Sequence, residues 1–156
     1  MDLLVGYTIG PNVLRIVSSP HEAYSKWKLT FLSFLIDTWQ YFLHRLFHTS
    51  RFLYRHFHSV HHRLYVPYAF GALYNHPVEG LVLDSLGAVV AHSASMMTVR
   101  QAILLFSLST IKTVDDHCGY KLWWDPCQMF FYNNADYHDI HHQAYGIKAN
   151  FSQPFL

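Results

Sequence analysis

Three stretches of the chain place histidines at spacings that suit a shared metal. His44-Arg45-Leu46-Phe47-His48 is an H-x-x-x-H pair, and four residues of α-helix are about 6 Å of rise with both side chains on one face. His58-Ser59-Val60-His61-His62 and His138-Asp139-Ile140-His141-His142 repeat one device, H-x-x-H-H, whose first, fourth and fifth positions again share a helical face. A single histidine pair is more often a surface feature, but three clusters change the balance. Imidazole is a borderline donor that suits iron, copper, nickel and zinc. Eight such rings in an apolar chain would each cost desolvation unless something bound them. Eight ligands exceed the needs of one ion, so the arithmetic favours two ions in one site. Two adjacent ions with mostly imidazole ligands suit redox iron and dioxygen chemistry. The carboxylate di-iron bundles are disfavoured, because their paired Glu-x-x-His motifs are absent.

Other residues attach to this pattern less firmly. His76 in Asn75-His76-Pro77 and His117 in Asp115-Asp116-His117 stand alone, and a lone histidine is usually structural. His21, His56 and His92 have no partner at ligand spacing and read as surface or packing residues. Asp37, Asp115, Asp116, Asp136 and Asp139 lie near the clusters in sequence, where carboxylates could hold imidazole tautomers; solvated caps are the alternative. Arg45, Arg51, Arg55 and Arg63 interleave with the first two clusters and give that region a positive field. Such a field suits a cytosolic membrane face, a docking patch for an acidic electron donor, or simply a solvated rim.

The elements that must position these residues come from an unusual composition. Of 156 residues, 51% are hydrophobic, 17% aromatic and only 13% charged, with 13 histidines and a formal net charge of +1. Soluble domains carry about 25% charged residues, so the chain is expected to meet lipid or a large apolar partner. Nucleic acid is an unsuitable partner for so neutral a chain, and a disordered tail is excluded. Cys118 and Cys127 form no C-x-x-C pair and read as reduced thiols. Met1-Asp2-Leu3-Leu4 lacks a basic leader and Gly10-Pro11 interrupts it, which argues against a cleaved signal. Asn150-Phe151-Ser152 fits the glycosylation pattern, a match common by chance.

No repeat or linker divides the chain, so it reads as one helical unit. The stretch from Lys28 to Leu43 is strongly apolar and helix-compatible, yet short of the roughly 20 apolar residues of a confident membrane span. Val78 to Ala91 and Val99 to Ile111, separated by His92-Ser93-Ala94-Ser95, predict a helical hairpin that enters a bilayer partly or packs on other helices, given Asp84 and Arg100. Pro67 ends the element before it, and Gly119 and Pro126 punctuate an aromatic stretch that includes Trp123, Trp124, Phe130, Phe131 and Tyr132. Those rings suit either a headgroup-depth anchor or an aromatic core.

Taken in order, H-x-x-x-H, H-x-x-H-H, N-H-P, D-D-H and H-x-x-H-H resemble the fatty acid hydroxylase superfamily, which includes sterol desaturases and C-4 methyl sterol oxidases. The strings Asp37 to Arg45, Val66 to Pro77, Lys112 to Gly119, Tyr137 to Gln143 and Asn150 to Phe155 are similar to those of sphinganine C-4 monooxygenases. The resemblance covers residues 29–156 and implies a catalytic domain there, after an N-terminal segment, 1–28, of unclear structure. It implies an all-α, membrane-associated helical bundle in the endoplasmic reticulum, with a histidine-rich di-metal cap facing the cytosol. Its ligand set carries over as His44, His48, His58, His61, His62, His76, His117, His138, His141 and His142, of which the eight in the three clusters form the catalytic centre. The implied cofactor is two Fe ions, with electrons from NADH through cytochrome b5 and its reductase, since no nucleotide fingerprint occurs here. The implied reaction is dioxygen-dependent hydroxylation at C-4 of sphinganine or dihydroceramide, within membrane lipid. Two alternatives carry the same residues: a sterol C-4 methyl oxidase or desaturase, and a non-catalytic metal-binding remnant. Family members usually have further helices before the first histidine motif and more sequence after Gln153-Pro154-Phe155, so the expectation is a truncated member.

Overall fold

The computed structural model describes residues 23–152. The leader reading at Met1-Asp2-Leu3-Leu4, His21, most of the 1–28 segment and the Gln153-Pro154-Phe155 string lie outside the described residues. Every element described is helical. In order they are α1 (Ala23–Thr49), α2 (Arg51–His56), 3-10 turns at His58–Arg63 and Ala69–Gly71, α3 (Pro77–Gly80), a π-helical turn (Leu81–Leu86), α4 (Gly87–Ser95), α5 (Val99–Asp116), α6 (Pro126–Phe130) and α7 (Ala135–His142).

The first helix is longer than the apolar stretch that predicts it, because nothing stops it before the histidine pair. Its 27 residues contain neither glycine nor proline. The Ser33 and Thr38 hydroxyls donate back to the Leu29 and Phe34 carbonyls at 2.9 and 2.7 Å, which satisfies them without breaking the helix. Ser50 then caps α2 by accepting from the Leu53 amide.

The expected pair of helical arms is present, with its turn displaced toward the C-terminus. His92 to Ser95 form the last turn of α4 rather than a loop, and the chain reverses at Met96, whose φ of 51° is left-handed. Thr98 and Gln101 then start α5 with a reciprocal cap: the Gln101 amide donates to the Thr98 hydroxyl at 3.3 Å and the Thr98 amide to the Gln101 side chain at 3.0 Å. Both arms pack on α1. Leu32, Ala91, Met97 and Leu105 form the apolar centre of that contact, with Leu29, Leu35 and Ile36 around it.

This apolar cluster is small, and the larger buried assembly is polar. Asp37, His44, His58, His61, Glu79, Lys112, Asp116, His117, Asn133, His138, His141 and His142 are all buried, while Phe31, Phe34, Phe42, Leu81, Val89, Ile103 and Ile111 are exposed. Many large apolar side chains of α1, α4 and α5 thus face outward while imidazoles and carboxylates fill much of the interior. No helix among the described residues is long and apolar enough to cross a membrane.

The π-helical turn is tied to α1 by the Trp39 indole, whose N–H donates to the Val82 carbonyl at 3.1 Å. Gly87 makes room for that ring, since a Cβ there would lie 2.7 Å from the indole Cδ1. Gly87→Ala is expected to cost about 1–3 kcal/mol by overpacking, read as a lowered unfolding midpoint in detergent solution.

Candidate metal centre

The three histidine clusters and His117 converge, and they do so as two groups. His44, His48, His58, His62 and His141 bring one ligand atom each within 4.8 Å of one another, and so do His61, His117, His138 and His142. The two H-x-x-H-H segments are shared between the groups in opposite senses. His58 and His62 serve the first group and His61 the second; His138 and His142 serve the second and His141 the first. Each segment therefore clamps both groups, which lie side by side: the His62 and His142 ring centres are 4.6 Å apart.

Different local structures produce the two segments. His138, His141 and His142 project from α7, which Asn134 starts by accepting from the Tyr137 amide. His58–Arg63 is a 3-10 turn rather than the expected α-helical face, because the chain leaves α2 at Phe57 (φ −123°, ψ −65°) and tightens into i to i+3 bonding, the Val60 amide donating to the Phe57 carbonyl. His44 and His48 stand one turn apart on α1, and His117 is the residue that ends α5.

Within the first group the Nε2 atoms lie close together: His48 to His44 3.2 Å, His58 to His48 2.7 Å, His62 to His58 3.1 Å and His141 to His44 3.1 Å. In the second, His117 to His61 is 3.3 Å, His138 to His117 2.9 Å and His142 to His138 3.1 Å. Hydrogen bonding between rings does not account for all of these approaches. The Nδ1 atoms of His44, His61, His117 and His141 donate to the main-chain carbonyls of Phe151, Tyr74, Thr113 and Ala149 at 2.8, 3.1, 2.7 and 2.7 Å. That of His58 donates to Glu79 at 2.5 Å. Carbonyls only accept, so the proton of each of the four carbonyl-bound neutral rings sits on Nδ1 and its Nε2 carries a bare lone pair. His44 then faces His141, and His61 faces His117, as acceptor against acceptor. A shared cation relieves that repulsion. Bonds of about 2.1 Å to imidazole set neighbouring octahedral donors about 3.0 Å apart and tetrahedral ones about 3.4 Å apart, and the observed separations fall around the first value. The donor sets therefore fit two ions.

Protonation offers no other escape. Burial, reinforced by neighbouring imidazoles, pushes His44 and His138 far below the ordinary histidine range; burial likewise brings His117 and His141 down to about 3 and His142 to about 2. Nine neutral imidazoles thus point their donor atoms at two small volumes.

His76, the tenth member of the carried-over set, stands outside both groups. It is the N-cap of α3, its Nδ1 accepting from the Val78 amide at 3.2 Å, and its ring packs against Phe57. His56 and His92 also stand apart. Three of the aspartates considered as tautomer holders have other partners: Asp116 pairs with Lys112, Asp136 with Lys121, and Asp115 accepts from Gln128. The carboxylate that does hold an imidazole is Glu79, which sequence reasoning missed. Its only signal is an acidic residue three positions after His76 in an apolar stretch, a pattern shared with any helix start. Burial raises its pKa to about 7.

The final loop supplies two of the holding carbonyls, Ala149 and Phe151, and Gly146 lets it turn back on α7, where a Cβ would collide with the Ile140 carbonyl. A cavity of about 960 Å³ opens beside the centre, lined by His44, His58, His61, His117 and His138 together with residues of α1, the π-helical turn and α5.

Two outcomes follow from these contacts. Glu79→Gln is expected to weaken metal binding by the first group about 10–100-fold, measured by competition with a chelator. The metal-free protein binds fewer protons folded than unfolded below the ordinary histidine pKa of about 6.5, so its stability is fully present above that pH and falls as pH drops from about 6.5 toward 3. Unfolding midpoints of chelator-treated protein across that window check the sign.

Comparison with known proteins meets this geometry. The fatty acid hydroxylase family model matches residues 29–156. The chain is 56% identical over 152 residues to the sphingolipid C4-hydroxylase of Saccharomyces cerevisiae, covering 97% of this chain and 40% of that protein. It is 62% identical over 126 residues to the sphingolipid C4-hydroxylase of Schizosaccharomyces pombe (81% and 43%), and 61% identical over 122 residues to sphinganine C4-monooxygenase 2 of Arabidopsis thaliana (78% and 47%). The chain thus spans less than half the length of these relatives. No solved structure matches it. All of the histidines of both groups lie within the matched region, and the chain belongs to the fatty acid hydroxylase family.

Proposed function

We propose that this chain forms the metal-binding, substrate-facing portion of a dioxygen-dependent hydroxylase that places a hydroxyl on C4 of a sphingoid base, sphinganine or its N-acyl form. The observation that carries the proposal is the pair of imidazole groups with opposed lone pairs, five of whose rings line a cavity. The names of the relatives supply the substrate class. Two iron ions are the proposed cofactor, one to be held by His61, His117, His138 and His142 and the other by His44, His48, His58, His62 and His141. Bound there, they would supply reductive activation of dioxygen. The balance is one dioxygen, two electrons and two protons per substrate, with one oxygen entering the C4–H bond and the other leaving as water. The electrons are proposed to come from NADH through a cytochrome b5-type donor, for which exposed Arg45, Arg51, Arg55 and Arg63 offer a basic rim near the centre.

The protein's own contribution is positional. A methylene carries no polar handle, so the carbon that reacts is set by how the chain lies. A cavity of about 960 Å³ is at the upper end of the roughly 300–1,000 Å³ of small-molecule sites. The exposed aromatic and aliphatic faces of α1, α4 and α5 support a setting at a membrane, proposed as the endoplasmic reticulum with the centre toward the cytosol.

The protein expressed in cells lacking sphingoid C4-hydroxylation is expected to restore 4-hydroxysphinganine, detected by mass spectrometry, and to hold two irons per chain after anaerobic purification. His141→Ala and His61→Ala should each abolish the product and lower the metal content by one equivalent. One zinc per chain with no product would overturn the assignment, and conversion of a sterol precursor instead of sphinganine would move it to the ring-accepting branch of the family.

A further inference from the structure

The cavity wall mixes aliphatic and polar side chains, and one polar patch of it is built differently from the rest. On α1 the residues Ser33, Asp37, Gln40 and His44 face the cavity in succession, at intervals of three or four positions that keep them on one side of the helix. The Ser33, Thr110 and Thr113 hydroxyls at this wall donate to carbonyls of their own helices, and Lys112 is engaged by Asp116 and the Asn133 carbonyl. Gln40 does something else: its amide crosses to the opposite arm and donates to Asp84 at 3.2 Å. Asp84 also takes a hydrogen bond from Asn75, and both residues line the cavity. The carboxylate is carried by the π-helical turn, a rare geometry that recurs at functional sites. Trp39 fixes that turn against α1 through the Val82 carbonyl. Two amides therefore hold one exposed carboxylate at the cavity wall.

The position of this patch matches the chemistry of a sphingoid head. Gln40 precedes His44 by four residues, about 6 Å along the helix. In a sphingoid base the C2 nitrogen and the C1 and C3 hydroxyls all lie within three carbons of C4, a span shorter than one helical turn. A head seated at the Gln40 level thus brings C4 to within one helical turn of the His44 level, and the remaining chain meets the apolar side chains of the wall. Resting on the hydroxylase reading above, we propose that Gln40 and Asp84, with Asp37 beside them, form the subsite that binds the 2-amino-1,3-diol head and so determines that C4 is the carbon presented. Asp84 accepts from the nitrogen and a hydroxyl, while the Gln40 amide oxygen accepts from a second hydroxyl and its N–H groups keep the carboxylate in place.

The test is equilibrium binding of tritiated sphinganine and tritiated 1-octadecanol, under anaerobic conditions, to metal-loaded protein in detergent, for wild type, Asp84→Asn and Gln40→Ala. Octadecanol has the chain without the amino-diol, so its binding reports an intact cavity. Wild type is expected to prefer sphinganine at least tenfold, and each variant to lose most of that preference while holding octadecanol as before. Wild type with no preference would overturn the substrate reading and the subsite together. A preference that survives in both variants would overturn the subsite alone, as would loss of both ligands by both variants, which would make these residues structural. Iron-loaded Gln40→Ala supplies a second readout: hydroxylation spread from C4 to neighbouring carbons is expected, and product confined to C4 counts against the proposal.

Discussion

The rest of the structure depends on bare imidazole lone pairs being aimed at one another and held there. Four main-chain carbonyls and Glu79 each occupy the Nδ1 proton of a histidine, which leaves its Nε2 as an acceptor facing other acceptors about 3 Å away. Such an arrangement is unfavourable by itself and favourable around a cation, so the cost of building it is met only when metal binds. The carbonyls come from segments distant in sequence: Tyr74 before α3, Thr113 in α5, and Ala149 and Phe151 in the final loop. Orientation of the donor atoms is therefore a property of the whole fold.

That constraint explains the layout of side chains. The interior is given to imidazoles, to Glu79 and to the Lys112–Asp116 pair, so little room remains there for an aliphatic core, and the buried apolar cluster of Leu32, Ala91, Met97 and Leu105 is small. Large apolar side chains go outward instead, along α1, α4 and α5. An exposed apolar surface of this extent is unfavourable in water and neutral against lipid. The polar interior and the apolar exterior are thus two sides of one allocation, in which the centre is paid for by metal and the surface by its surroundings.

The cavity joins these two parts. Its wall is shared by imidazoles, by aliphatic side chains of α1, the π-helical turn and α5, and by Asp37, Gln40 and Asp84. Under the hydroxylase reading proposed above, a cavity of this kind would position an unactivated methylene, which offers no polar feature for the protein to grip.

Much of this was legible in the chain alone. Helical spacing within each cluster, the number of histidines and the shortage of charge sufficed to expect a helical, metal-capable protein, since these follow from periodicity and ligand count, which are local. What lay beyond that reading was whatever depends on how segments meet. The 3-10 turn at His58–Arg63 and the capping role of His76 are outcomes of chain direction at Phe57 and Pro77 that spacing does not encode. The turn between the arms falls at Met96 rather than His92 to Ser95 because the Thr98 and Gln101 cap, not polarity, sets where α5 begins. Glu79 looked like any first-turn carboxylate until α3 was laid against His58. Residue identity and spacing determined which atoms could bind; only packing of remote segments decided which imidazoles share an ion, because tautomer and direction are set by acceptors the sequence holds far away.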